Sequence, residues 1–145
     1  MRIGLNLVAG GFGLVNRWGV RKPVFNAFKL LHEAGAERWN VSGIEFMAGH
    51  AGVVVWASKS SDGALHLIAA NHEGASLNVT ISIKSAGILS TEATVARIDD
   101  THANAYTAWL DMGSPKADAH GTLDAKVLAA LHTASVSAMA YCYAC

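Results

Sequence analysis

The chain has 145 residues, the length of one ordinary domain, and a chain of that size can bury roughly 70% of the surface it exposes when unfolded. Eleven Lys and Arg balance eleven Asp and Glu, which argues against a nucleic-acid partner and against a polybasic membrane-surface segment, since both need a basic stripe. A mean hydropathy of +0.28 beside 15% charged residues points to apolar surface meant for a partner.

The two cysteines, Cys142 and Cys145, make no disulfide framework. Their C-x-x-C spacing lacks the second pair that a structural zinc site requires, so no metal or other cofactor is expected. Met1-Arg2 and the run Ile3 to Val8 start like a signal peptide, but Gly4 and Asn6 interrupt the run and glycines follow it. The expectation is a cytoplasmic chain. The Ala-rich stretch from Val127 to Cys145 contains His132, Thr133, Ser135 and Ser137, which makes it a poor membrane span.

Gly10, Gly11, Gly13 and Gly19 mark an irregular opening loop. Pro23 then starts a helix, because proline is tolerated at the first helical position. Val24, Ala27, Phe28 and Leu31 form its apolar face, and Gly35 sits where a left-handed cap would end it. Beyond it the period shortens. Ile44 to Ala48, Gly52 to Ser58, Ala64 to Asn71, Leu77 to Ile83 and Thr91 to Ile98 read as strands, separated by turns such as Ser61-Asp62-Gly63. A short helix is expected around Asn104 to Met112. Thr122 to Leu128 alternates like a strand, with Leu123, Ala125 and Val127 on one side, and Ser135 to Tyr143 reads as the closing strand. The fold expected is mainly β, an antiparallel sandwich of about seven strands preceded by one α-helix.

The densest group of chemistry-bearing residues is Arg97, Asp99, Asp100, His102 and Asn104, followed by Tyr106 and Trp109. It places a cation, carboxylates, an imidazole, an amide and rings at the end of a strand, where loops often carry function. The competing reading is a network that ties the loop down, with Arg97 paired to Asp99 or Asp100. His32-Glu33 and His72-Glu73 begin like a zinc-protease helix, but Ala36 and Ser76 stand where the second His belongs. No pair of glutamates suggests acid/base work on a sugar.

The stretch Gly10-Gly11-Phe12-Gly13-Leu14-Val15-Asn16 through Gly19-Val20-Arg21-Lys22-Pro23 to Leu31 resembles glycoside hydrolase family 39, the β-xylosidases and α-L-iduronidases. Arg97-Ile98-Asp99 with His102-Ala103-Asn104-Ala105-Tyr106, Trp109 and Met112-Gly113-Ser114-Pro115 is similar to a loop of that family's C-terminal β-sandwich. A third match runs from Gly121-Thr122-Leu123 to Ser135-Val136-Ser137. The chain departs from the pattern after Pro115, where Lys116 to His120 replace a longer stretch.

The resemblance implies that residues 1–36 correspond to the end of a (β/α)8 barrel, with the Pro23 helix equivalent to its last helix, and that residues 37–145 form the C-terminal β-sandwich. The family hydrolyses glycosides with retention, using two glutamates on barrel strands upstream of the matched segment. A full barrel takes about 250 residues, so no catalytic residue carries over. Arg97, Asp99, His102, Asn104 and Trp109 are then expected at a cleft rim or domain interface. The implied partner is the missing barrel, with self-association through the exposed helix face as a further expectation. One rival is an independent hydrolase recruiting Asp99 and Glu45. Another is a free-standing carbohydrate-binding sandwich that stacks sugars on Trp56, Trp109 or Tyr106.

Overall fold

The computed structural model describes residues 13–41, 52–72, 83–84, 92–136 and 139–143. They form α1 (Pro23–Glu33), β1 (Glu37–Trp39), β2 (Val53–Lys59), β3 (Leu65–Asn71), β4 (Glu92–Ala96), α2 (Ala105–Asp111), α3 (Ala125–Ala134) and β5 (Met139–Tyr143). The chain divides into two compact units, Leu30–Leu89 in one and Met1–Lys29 with Ser90–Cys145 in the other.

In the unit that joins the two ends of the chain, the opening loop is organised by Asn16. Its side-chain oxygen accepts from the N–H groups of Trp18 at 3.0 Å and Val20 at 2.9 Å. Gly19 sits at φ +77°, a left-handed turn that glycine adopts without steric cost, and Val15 bridges Arg21 across it. Pro23 then starts α1 with its φ already set for a helix. The buried residue of this helix is polar. Asn26 is 2% exposed, and its Nδ2 donates to the carbonyls of Ser135 at 2.8 Å and Ala103 at 3.5 Å. Val24, Phe28 and Leu31 are meanwhile 44%, 57% and 53% exposed.

The core of this unit is Val20, Ala105, Leu123 and Leu131, with Trp18, Tyr106, Trp109, Val127 and Leu128 packed against it. The indole N–H of Trp18 donates to the Gly121 carbonyl at 3.1 Å, joining the opening loop to the approach to α3. β4 and β5 pair antiparallel, from Glu92 opposite Tyr143 to Ala96 opposite Met139.

The expected strand at Thr122–Leu128 is overturned, because α3 starts at Ala125. Asp124 decides it: its carboxylate accepts from the N–H groups of Lys126 at 2.8 Å and Val127 at 3.2 Å, satisfying donors that a helix start leaves without partners. Leu123, Val127 and Leu131, spaced by four, then converge on one core. Ala125, Ala129, Ala130 and Ala134 are strong helix formers, and the two-residue alternation was a coincidence of a short window.

In the other unit β1, β2 and β3 form an antiparallel sheet in that order, with Trp39 opposite Ala57 and Lys59 opposite Leu65. The β2–β3 turn is the one read from Ser61-Asp62-Gly63. Ser60 pairs with Ala64, the Gly63 N–H donates to the Ser60 carbonyl at 2.9 Å, and Gly63 takes φ +90°, as a three-residue hairpin loop requires. The Asp62 carboxylate accepts from Ser60 Oγ and the Ala64 N–H.

Gly35 is not a left-handed cap, since its φ lies outside that region. It is needed for room: a Cβ there would fall on the backbone of Lys59 and Ser60.

Among the described residues the fold is mixed, with three helices and five strands in two antiparallel sheets, and the mainly-β, seven-stranded reading is not confirmed. Ile44 to Ala48 and residues 77–82 lie outside the described residues, and Ile83 is not in a strand. β1, only three residues long, had no alternation to reveal it.

Urea unfolding checks the two polar devices that fix the helices. Asp124→Ala removes a cap and is expected to cost about 1 kcal/mol. Asn26→Ala leaves two inward-facing carbonyls without their donor and is expected to cost about 2 kcal/mol. Both variants should unfold at lower urea, Asn26→Ala the lower of the two.

Candidate functional site

β4 ends at Ala96, and the chain turns at once through residues 97–104 into α2. A single carboxylate organises that turn. Asp99 Oδ1 accepts from the N–H groups of Thr101 and His102, each at 2.8 Å, from Thr101 Oγ1 at 3.1 Å, and from His102 Nδ1 at 2.8 Å. Asp99 Oδ2 accepts from Arg97 Nε at 2.6 Å. An ionised carboxylate only accepts, so the contact with His102 places the imidazole proton on Nδ1. The His102 ring and the Thr101 N–H, with the His102 N–H and the Thr101 hydroxyl, hold the Asp99 carboxyl well below the usual carboxylate range.

The next residue is held in an uncommon conformation. Ala103 lies at φ +54° and is 2% exposed, and its carbonyl receives the Asn26 amide. A left-handed alanine costs about 1–2 kcal/mol, so the turn is fixed from both sides, by the Asp99 network and by α1. Asn104 then caps α2. Its Oδ1 accepts from the Tyr106 N–H at 3.1 Å and its Nδ2 donates to the Asp100 carbonyl at 3.4 Å. Trp109 stacks on Tyr106 with centroids 5.8 Å apart, and its indole N–H donates to the Pro115 carbonyl at 3.0 Å.

The five residues singled out from the sequence thus fall into three places. Arg97, Asp99 and His102 form one ion-paired cluster, Asn104 serves as a helix cap, and Trp109 ties α2 to the loop that follows it. The Asp99–His102 pair has the form of a base held by a carboxylate, and the hydroxyl beside it, Thr101 Oγ1, lies 3.0 Å from the same Nδ1 that faces Asp99. A nucleophile would be needed at the other ring nitrogen.

Other combinations fare no better chemically. Ser60 Oγ lies 3.2 Å from His66 Nε2 on the β2–β3 hairpin. Asp62 binds the serine instead of orienting the imidazole, so the order of contacts is not that of a hydrolytic triad. Glu45, the partner that an independent hydrolase would recruit, lies outside the described residues. Of the aromatic platform residues, Trp56 belongs to β2, is 40% exposed, and carries the Arg38 guanidinium 4.9 Å from its ring centre. Among the described residues no group of three or more His, Cys, Asp or Glu could hold a metal ion, and no helix is long and apolar enough to cross a membrane.

Sequence reasoning passed over one feature. Residues 20–24 and 104–106 line an open cavity of about 400 Å³. Arg21 and Lys22, named in the sequence only within the stretch that carries the family resemblance, are among the residues that line it. The signal that was available is two adjacent cations placed directly before a helix-starting proline.

Comparison with known proteins shows a family and a relative that this chain is similar to. The family described as Glycosyl hydrolases family 39 matches residues 5–131. A curated relative described as Beta-xylosidase, from Caldicellulosiruptor saccharolyticus, is 33% identical over 112 residues, covering 73% of this chain and 22% of that protein. The chain therefore spans about a fifth of the length of that relative.

Acid titration tests the Asp99 network. A carboxylate whose pKa is depressed by folding contributes stability above its unfolded value, here 3.8, and loses that contribution as pH falls through the lower folded value. Asp99→Asn should lower the thermal midpoint at neutral pH and flatten the decline seen below about pH 4. An unchanged acid limb in that variant would show that the network does not stabilise the fold.

Proposed function

Since the chain belongs to glycosyl hydrolases family 39, we propose that it supplies the non-catalytic, C-terminal portion of a retaining glycosidase whose parent activity is hydrolysis of β-xylosides or related glycosides. The family match over residues 5–131 carries this reading, and the relative described as Beta-xylosidase supports the parent substrate. The role within the parent is to brace the catalytic barrel and to set the 97–104 turn near the rim of its cleft. The exposed Val24 and Phe28 on α1 support such a bracing contact, because a helix that turns apolar side chains outward has a partner to meet.

Chemistry at Asp99 supports the non-catalytic assignment. A glycosidase acid must keep its proton near neutral pH, which requires a raised pKa, whereas Asp99 is held low. A glycosidase nucleophile needs a carboxylate oxygen facing the anomeric carbon. Both Asp99 oxygens are taken up by donors, four on one and a guanidinium on the other. The retaining pair, with carboxyls about 5–5.5 Å apart, is assigned to the barrel.

A chromogenic aryl β-xyloside incubated with the purified chain tests the proposal. The expected result is release no faster than the buffer blank. Steady turnover that disappears in Asp99→Asn, with the fold retained by circular dichroism, would overturn it.

A further inference from the structure

Asp62-Gly63 stands at the tip of the β2–β3 hairpin, and its covalent chemistry is untouched by the accessory role. An aspartate followed by glycine is prone to rearrange, because no Cβ crowds the glycine nitrogen. That nitrogen attacks the side-chain carboxyl carbon, the carboxyl OH leaves as water, and a cyclic imide forms. Water then opens the imide at the main-chain carbonyl, so the peptide runs through the aspartate β-carbon as isoaspartate. One water leaves and one returns, and no other reactant is needed.

Crowding gives this dipeptide no protection. Residues 61–64 are exposed, and a Cβ built on Gly63 meets nothing within 4 Å. Hydrogen bonds instead hold the groups that the reaction uses. The Gly63 N–H donates to the Ser60 carbonyl at 2.9 Å, and ring closure removes that proton. Asp62 Oδ1 accepts from Ser60 Oγ and, at 3.1 Å, from the Ala64 N–H. These donors favour the ionised carboxylate and hold its pKa below the usual value. Ring closure needs the protonated form, whose hydroxyl can leave. His66 Nε2, 3.2 Å from Ser60 Oγ, is a further titratable group beside the turn.

We propose that Asp62-Gly63 is a modification site gated by its own hairpin: it stays an ordinary aspartyl peptide while the turn is closed and converts to isoaspartate when the turn opens. Parting of β2 from β3 frees the Gly63 N–H and releases the carboxylate, so the local stability of the hairpin sets the rate. The product puts a β-carbon into the main chain of a loop closed by the Ser60 N–H on the Ala64 carbonyl at 3.0 Å. That loop is then one backbone atom too long for the pair, and an opening that reacts is recorded permanently.

Peptide mapping of the full chain, aged in parallel in buffer and in unfolding guanidinium at one pH and temperature, tests the proposal. Trypsin releases residues 60–84 as one peptide. Isoaspartate at position 62 leaves its mass unchanged and blocks cleavage by an aspartate-specific endoprotease. Deamidation of Asn71 or Asn78 changes the mass and is not confused with it. Isoaspartate should accumulate more slowly in the folded chain by about tenfold or more. Ser60→Ala, which removes one donor, should raise the folded rate about threefold and leave the rate in guanidinium unchanged. Asp62→Glu, whose longer side chain closes a larger ring, should yield no such product in either state. Equal rates in the folded and unfolded chain would overturn the gating, and no isoaspartate at position 62 in guanidinium would overturn the site. The comparison on the unsubstituted chain stands even if Ser60→Ala fails to fold, and none of these outcomes depends on the accessory role.

Discussion

The carboxamide of Asn26 is the contact on which the arrangement around α1 depends. One nitrogen serves two carbonyls, Ala103 in the turn before α2 and Ser135 at the end of α3. Both are inward-facing acceptors that water would otherwise have to satisfy. A polar strut on the inner face of a helix dictates what remains for the outer face. With Asn26 turned in, Val24 and Phe28 are turned out, so the familiar amphipathic pattern is present with its sense reversed. The same strut pins Ala103 in its left-handed conformation, which sets the direction in which Asn104 starts α2. Helix packing, turn geometry and the outward apolar stripe therefore share one cause.

Much of the local structure was legible in the sequence, and the failures have physical reasons. Pro23 marked α1 and Ser61-Asp62-Gly63 marked the hairpin, because a fixed φ and a positive φ are properties of single residues. The strand read at Thr122 failed because two of its three alternating apolar residues, Leu123 and Val127, also fit a four-residue spacing once Leu131 is counted, and a capping carboxylate chose between the two. Gly35 looked like a cap because conformational freedom is the usual reason for a glycine after a helix. The reason here is the backbone of Lys59 and Ser60, which lies far along the chain and is invisible to a local reading.

The candidate site was legible as a cluster and illegible as wiring. The sequence shows Arg97, Asp99, His102 and Asn104 within eight residues. It does not show that one carboxylate gathers the donors while the amide turns to a helix end. Family membership has the same limit. It identifies the lineage of the chain, but chemistry belongs to particular atoms. A carboxylate saturated with hydrogen bonds has the residue type that glycoside hydrolysis requires and the wrong availability.

The reach of the Asn26 bonds has a consequence for how the protein is made. Their acceptors lie 77 and 109 residues downstream of the donor. Such contacts form against a large loop-closure entropy and raise the contact order of the whole unit. On the ribosome α1 emerges before both acceptors, and its inward-facing amide lacks its shorter bond until Ser135 has left the exit tunnel. Throughout that interval the helix has no reason to prefer its final face, and its apolar stripe is free to seek other company. Docking of α1 is thus a late step, timed by the synthesis of α3 and not by the helix itself.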